Sequence, residues 1–259
     1  MRLGYGRISI GAAVASLLLG LAFLRREIRA QAPVVNLKLF RRSRYTFACA
    51  SISLSNLVRY TTLLALPIFL ERVRDHSVQT SGLILAAMSA FAALLGPLGG
   101  KWADLRGYWP PAFWGAIALV TGTLLLTAST VFQEVVLTIV ALAVMGFGLG
   151  VSGAPVQAAA IEAVPGETAG SAAGIFSTSR YVGSVLGSTV LALVFTREVG
   201  PGDTRAFALL FGGLSVAALA GVFANARVAN RHICPKGDPQ GYGPEVPATV
   251  FVSKGRADP

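Results

Sequence analysis

Few side chains in this 259-residue chain are equipped for chemistry, and most of them are single charges set in apolar sequence. Arg59 stands about a dozen residues into one apolar run, and Arg180 stands inside another. A charge held at membrane depth is costly, so such a residue is by default a candidate for function. Either arginine can contact an anionic substrate group or pair with a carboxylate on another helix. Either can also snorkel to water, or face an aqueous cavity, without a role. Gly183 and Gly187 follow Arg180 at three and seven positions, which puts all three on one helix face. Glu71 and Glu162 lie at predicted membrane edges, where each titrates only if desolvated and otherwise sits in water. Glu162 joins Arg59 and Arg180 as a candidate for substrate contact or ion pairing.

No other constellation has catalytic form. The two cysteines, Cys49 and Cys234, lie in an apolar run and a polar tail, so pairing is not expected. With His76 and His232 the only histidines, no group has metal-ligand spacing. No Ser/His/Asp set and no phosphate loop stands out. The chain is therefore read as no enzyme, with no metal and no bound cofactor. Its composition points the same way: 54% of residues are hydrophobic and 13% charged, where soluble domains carry about 25% charged residues. The net charge of +10 would suggest nucleic acid in a soluble protein. Here the basic residues cluster between apolar runs, so the expected partner is the lipid bilayer and not nucleic acid.

The elements that must position these charges are all of helical length. Apolar runs cover residues 8–24, 46–70, 81–100, 111–129, 135–156, 169–195 and 206–226. Each approaches the roughly 20 residues needed to cross hydrocarbon. The expected fold is an all-α membrane protein with about seven transmembrane helices. The first run is followed by Arg25, Arg26 and Arg29 and not by a small-residue cleavage site, so a retained helix is expected over residues 1–24. Residues 25–45 form a basic connection in which Val34–Phe40 suggests a short interfacial helix. Residues 46–228 hold six helices, and 229–259, rich in Pro and Gly, are expected to be disordered. The larger share of the 22 Lys and Arg falls on the 25–44, 96–110 and tail side, which is therefore assigned to the cytoplasm. Met1 then lies outside.

Between the third and fourth runs, residues 96–110 must reverse the chain within about ten polar residues. Gly96, Gly99 and Gly100 are small enough for two helix ends to approach closely. Asp104 is placed to face a neighbouring helix N-terminus. Gly107 supplies the turn, and Pro110 and Pro111 restart a helix. This stretch resembles the signature loop of the major facilitator superfamily, Gly-x-x-(Ala)-Asp-Arg-x-Gly-(Arg/Lys). Gly100, Ala103, Asp104 and Gly107 match, while Leu105 replaces the usual arginine beside Arg106, and Tyr108 and Trp109 replace the usual basic pair. The resemblance implies a gating role for Gly100, Asp104, Arg106 and Gly107, with Asp104 a conformational latch.

Four further stretches extend the resemblance to the C-terminal portion of the fourteen-helix drug:proton antiporters, the QacA/EmrB-like branch. They are the basic connection with Pro33, the Leu66–Val73 helix end, the glycines 146, 148 and 150 with Pro155 and Pro165, and the glycines 170, 174, 183 and 187 around Arg180. Gly146, Gly150, Gly183 and Gly187 are read as helix-packing residues. The resemblance implies efflux of small amphipathic compounds by proton antiport and alternating access, driven by the proton gradient, in an inner or plasma membrane. It covers only the family's eighth helix and its last six. Transport would then need a separate N-terminal half or a second copy of the chain. The alternative is a truncated, non-transporting membrane remnant. A seven-helix retinal protein is disfavoured, because Lys38, Lys101, Lys236 and Lys254 all fall in predicted loops or tail.

Overall fold

The computed structural model describes residues 37–195 and 204–229, with a few isolated helical positions between 15 and 26. The expected first helix, most of the basic connection and the tail therefore lie outside the described residues. Six long helices follow a 3-10 turn at Leu37–Arg41: α1 (Ser43–Arg72), α2 (Val78–Arg106), α3 (Trp109–Phe132), α4 (Val135–Glu162), α5 (Ala169–Phe195) and α6 (Thr204–Ala229). A second 3-10 turn, Gly166–Thr168, precedes α5, and no strand occurs among the described residues. The all-α architecture is what composition and periodicity imply.

Five of these helices, all but α5, are long and apolar enough to cross a membrane. At 1.5 Å per residue, lengths of 24 to 30 residues give about 36–45 Å. That matches a bilayer with its headgroup layers, about 40–45 Å, better than the hydrocarbon alone. This explains why the helices outrun their apolar stretches. Contrary to the sequence expectation, α2 does not give way to a ten-residue polar reversal at Gly96. It continues through Pro97 to Arg106, and Gly107 and Tyr108 alone make the turn. Pro67, Pro97 and Pro155 all lie inside helices, which neighbouring helices allow in membranes.

Neighbour relations run α2–α4–α3–α6–α1–α5, with α1 also touching α4 and α2. Glycines bring the backbones together at the α2–α4, α3–α4 and α1–α5 contacts. A methyl group at Gly146 would run into the Met88 carbonyl, and one at Gly150 would come within 2.6 Å of the Ala92 carbonyl, both on α2. On α5, a methyl at Gly183 would strike the Ser53 carbonyl of α1, and one at Gly187 would lie 2.7 Å from that of Leu57. Gly115 and Gly148 meet similarly between α3 and α4. Gly99 approaches Val151 in the same way, whereas Gly96 and Gly100 face open space.

Polar groups complete these contacts. Tyr45 donates to the Ala172 carbonyl at 2.7 Å, Thr61 to that of Gly187 at 3.1 Å, and Ser51 to Asn225 Oδ1 at 2.9 Å. Two apolar clusters fill the bundle. One, near the α1–α2 connection, centres on Phe69, Leu126, Met145, Phe207 and Phe211. The other, at the opposite end, gathers Leu39, Tyr45, Ile52, Val156 and Phe176.

The glycine contacts give a paired prediction. Gly183→Ala should destabilise the bundle by about 1–3 kcal/mol through overpacking. Gly174→Ala, where nothing lies within 4 Å, should be neutral or slightly stabilising, since alanine favours helix. Thermal unfolding of the two purified variants in detergent measures the difference; equal midpoints would remove the packing assignment.

Candidate functional site

The α2–α3 turn is built from residues that end one helix and begin the next. Gly107 has φ 83°, a left-handed value that disfavours a side chain, and its N–H donates to the Ala103 carbonyl at 2.8 Å. Tyr108 caps α3, and Pro110 and Pro111 occupy the first helical turn, where a missing N–H is harmless. The Tyr108 hydroxyl donates to Glu162 Oε1 at 2.5 Å, joining the turn to the last residue of α4. Next to it, Arg42 Nη1 donates to the Ala163 carbonyl at 3.1 Å, tying the start of α1 to the same point. Asp104 and Arg106 are exposed on the last turn of α2, and Gly100 makes no close approach. Asp104 thus lies beside the N-cap of α3, and its charge acts on Tyr108. The Glu162 hydrogen bond, then burial and the two carboxylate charges, push the Tyr108 phenol up to about 12. Trp109 stacks on Phe113 at 5.2 Å and Phe113 meets Trp114 edge-on at 6.0 Å, forming an aromatic cluster at this end.

The two mid-helix arginines occupy different depths. Gly183 and Gly187 contact Ser53 and Leu57 in parallel order, so Arg180 lies level with about residue 50 of α1. Arg59 is therefore about nine residues, or ~13 Å, further along the axis. It stands near the midpoint of α1, half-buried, with its guanidinium 6.0 Å from the Tyr60 ring. Arg180 reaches from α5 to α4, where its Nη2 donates to Gln157 Oε1 at 3.4 Å, and its Nε is buried without a partner. The structure does not bring Arg59, Arg180 and Glu162 into one site. Glu162 belongs to the turn, Arg180 to the α4–α5 contact and Arg59 to the centre of α1.

Just below the Gly183–Ser53 contact, α1 and α5 part to form an open-sided cavity of about 900 Å³. Its walls include Ala50, Ile175 and Val182, with hydroxyls from Ser53, Thr178 and Ser179, and with Phe40 of the first 3-10 turn as a further wall. Cys49, buried and unpaired, also lines it. At the other end of the bundle, Arg74 donates to the Ser129 carbonyl at 3.1 Å and covers the Phe69 ring at 5.5 Å.

Sequence reasoning missed Tyr108, Gln157, Arg74 and the cavity. Tyr108 had a signal, because it replaces a residue that is usually basic; the others depend on which helix faces which. The Tyr108–Glu162 bond has a pH consequence. The phenol's pKa rises from 10.0 to about 12 on folding, so the stability it contributes is complete below pH 10. That contribution is lost as pH rises from 10 to about 12, while the unfolded chain ionises first. Glu162→Gln should move the Tyr108 titration down towards 10, read as the tyrosinate absorbance that Tyr108→Phe removes; an unmoved titration would contradict the contact.

Residues 4–188 match the sequence profile of the Major Facilitator Superfamily. The chain is 34% identical over 187 residues to an uncharacterised MFS-type transporter, YwoD, of Bacillus subtilis, covering 72% of this chain and 41% of that protein. It is 34% identical over 172 residues to the multidrug resistance protein Stp of Mycobacterium tuberculosis, covering 66% of this chain and 32% of that protein. Against the quinolone resistance protein NorB of Staphylococcus aureus it is 28% identical over 175 residues, covering 67% of this chain and 38% of that protein. The chain thus spans between 32% and 41% of the length of these relatives. With a bundle of long apolar helices and a profile match over most of its length, this chain belongs to the Major Facilitator Superfamily.

Proposed function

We propose that the chain forms one six-helix half of an efflux carrier for small amphipathic compounds, of the fourteen-helix drug:proton antiporter type. The observation that carries this reading is the pair of arginines far from any helix end, Arg59 at the middle of α1 and Arg180 held against Gln157. Charges at such depth face substrate or ion paths in membrane proteins far more often than they serve packing. Relatives named for multidrug and quinolone resistance support the substrate class. Proton antiport follows the same lineage, and the proton gradient is the only energy source the reading needs.

In this reading the half rocks as a body against a complementary half, either a separate N-terminal half or a second copy of the chain, to give alternating access. The α2–α3 turn acts as its latch through Gly100, Asp104, Arg106 and Gly107, with Tyr108 holding it to Glu162 at the end of α4. α2 offers a largely exposed apolar face, with Leu83, Phe91 and Leu94, suited to a neighbouring helix surface or lipid. The carrier sits in the cell membrane with its C-terminus in the cytoplasm.

The test is efflux of a fluorescent lipophilic cation from pump-deficient cells that produce the chain, alone and with candidate complementary halves. Energised efflux should collapse with an uncoupler, and Arg180→Ala should lower it about tenfold at equal membrane insertion, as expected for loss of a charged hydrogen bond. Inserted protein that supports no energised efflux in any combination would overturn the reading.

A further inference from the structure

The 3-10 turn Leu37–Arg41 at the mouth of the α1–α5 cavity divides its side chains sharply. Leu39 is 3% exposed and packs into the cluster with Tyr45 and Ile52. Phe40 meets Tyr45 edge-on at 5.9 Å and forms part of the cavity wall, and its carbonyl accepts a 2.7 Å hydrogen bond from Thr46. Lys38 and Arg41 are both exposed, and a 3-10 helix superposes positions three apart, so they lie on one side of the turn. Arg42 and Arg44 follow within three residues, reaching the Ala163 and Val228 carbonyls. Among the described residues that line the cavity none is acidic, and Glu167, three residues before Gly170 of the α5 wall, is exposed in the 3-10 turn before α5.

An apolar cavity with scattered hydroxyls beneath a basic rim matches one kind of molecule in charge and polarity. We propose that the cavity holds an acyl chain of an anionic phospholipid, with its phosphate against Lys38 and Arg41. The apolar walls at Ala50, Ile175 and Val182 accommodate the chain, and the Ser53 and Thr178 hydroxyls share the lining. Gly174 opens onto the cavity with nothing within 4 Å, so a larger side chain there fills space that the lipid occupies. The inference goes beyond the transport reading and does not depend on it, because lipid binding is measured without substrate or gradient.

The experiment is native mass spectrometry of the purified full chain in detergent, titrated with phosphatidylglycerol and with phosphatidylcholine of the same acyl chains. Phosphatidylglycerol should bind about thirtyfold more tightly, the effect expected of two interfacial charges. Lys38→Gln/Arg41→Gln, both at exposed positions, should abolish that preference, and Gly174→Leu should weaken both lipids alike. Glycerol phosphate, which has a phosphate but no chain, should not compete at concentrations where phosphatidylglycerol saturates. Equal binding of the two lipids by the unaltered chain would overturn the proposal without recourse to any variant. A preference that survives the double substitution, binding indifferent to Gly174→Leu, or competition by glycerol phosphate alone would overturn it as well.

Discussion

Close approach of helix backbones is the constraint on which the rest of this structure depends. Lipid tails are as apolar as leucine, so helices in a bilayer gain little from hiding hydrophobic side chains against each other. Contact must come from dispersion and hydrogen bonds, which need backbones near enough to touch. Gly146 and Gly150 provide that between α4 and α2, Gly183 and Gly187 between α5 and α1, and Gly115 with Gly148 between α3 and α4. Thr61, which donates to the Gly187 carbonyl, is within reach only because that glycine lets the chains meet. The cavity follows from the same geometry, since it opens where α1 and α5 leave their point of contact.

Charge is distributed in keeping with that scaffold. The Tyr108–Glu162 contact sits at the helix ends and lies beside Asp104. It joins the turn between α2 and α3 to the end of α4, the helix both of them pack against. Deeper in the bundle, Arg180 depends on a neutral amide, and Arg59 on an aromatic ring. A bundle built this way carries positive charge far from its helix ends and keeps its described carboxylates at helix ends and connections.

Much of this was legible in the sequence, because long apolar runs admit only one architecture in a bilayer. The six helices fall on the runs read from hydropathy, and their ends differ mainly where polar residues carry the helix into the headgroup layer. The α2 boundary was read too early, since Gly96, Pro97, Gly99 and Gly100 look like a loop, yet the helix persists until Gly107 forces a left-handed backbone. Glycine spacing was an incomplete guide. Gly170 and Gly174 have the same four-residue interval as Gly183 and Gly187, but the first pair lines open space and the second meets α1. The interval states which face is small; the partner helix decides whether anything touches it. Gln157, as partner to Arg180, was hidden for the same reason, because it lies on a different helix 23 positions away.

The central claim is that glycine contacts fix α5 against α1, and α2 and α3 against α4. It is tested most directly by spin-label distance measurements on the chain in liposomes, between Leu64 and Val185 across α1 and α5, and between Leu83 and Val140 across α2 and α4. All four positions are exposed, so labels there leave the contacts intact. The account predicts one narrow distance for each pair, unchanged when a transmembrane pH gradient is imposed. Broad or gradient-dependent distances within either pair would contradict it, because the helices would then move separately.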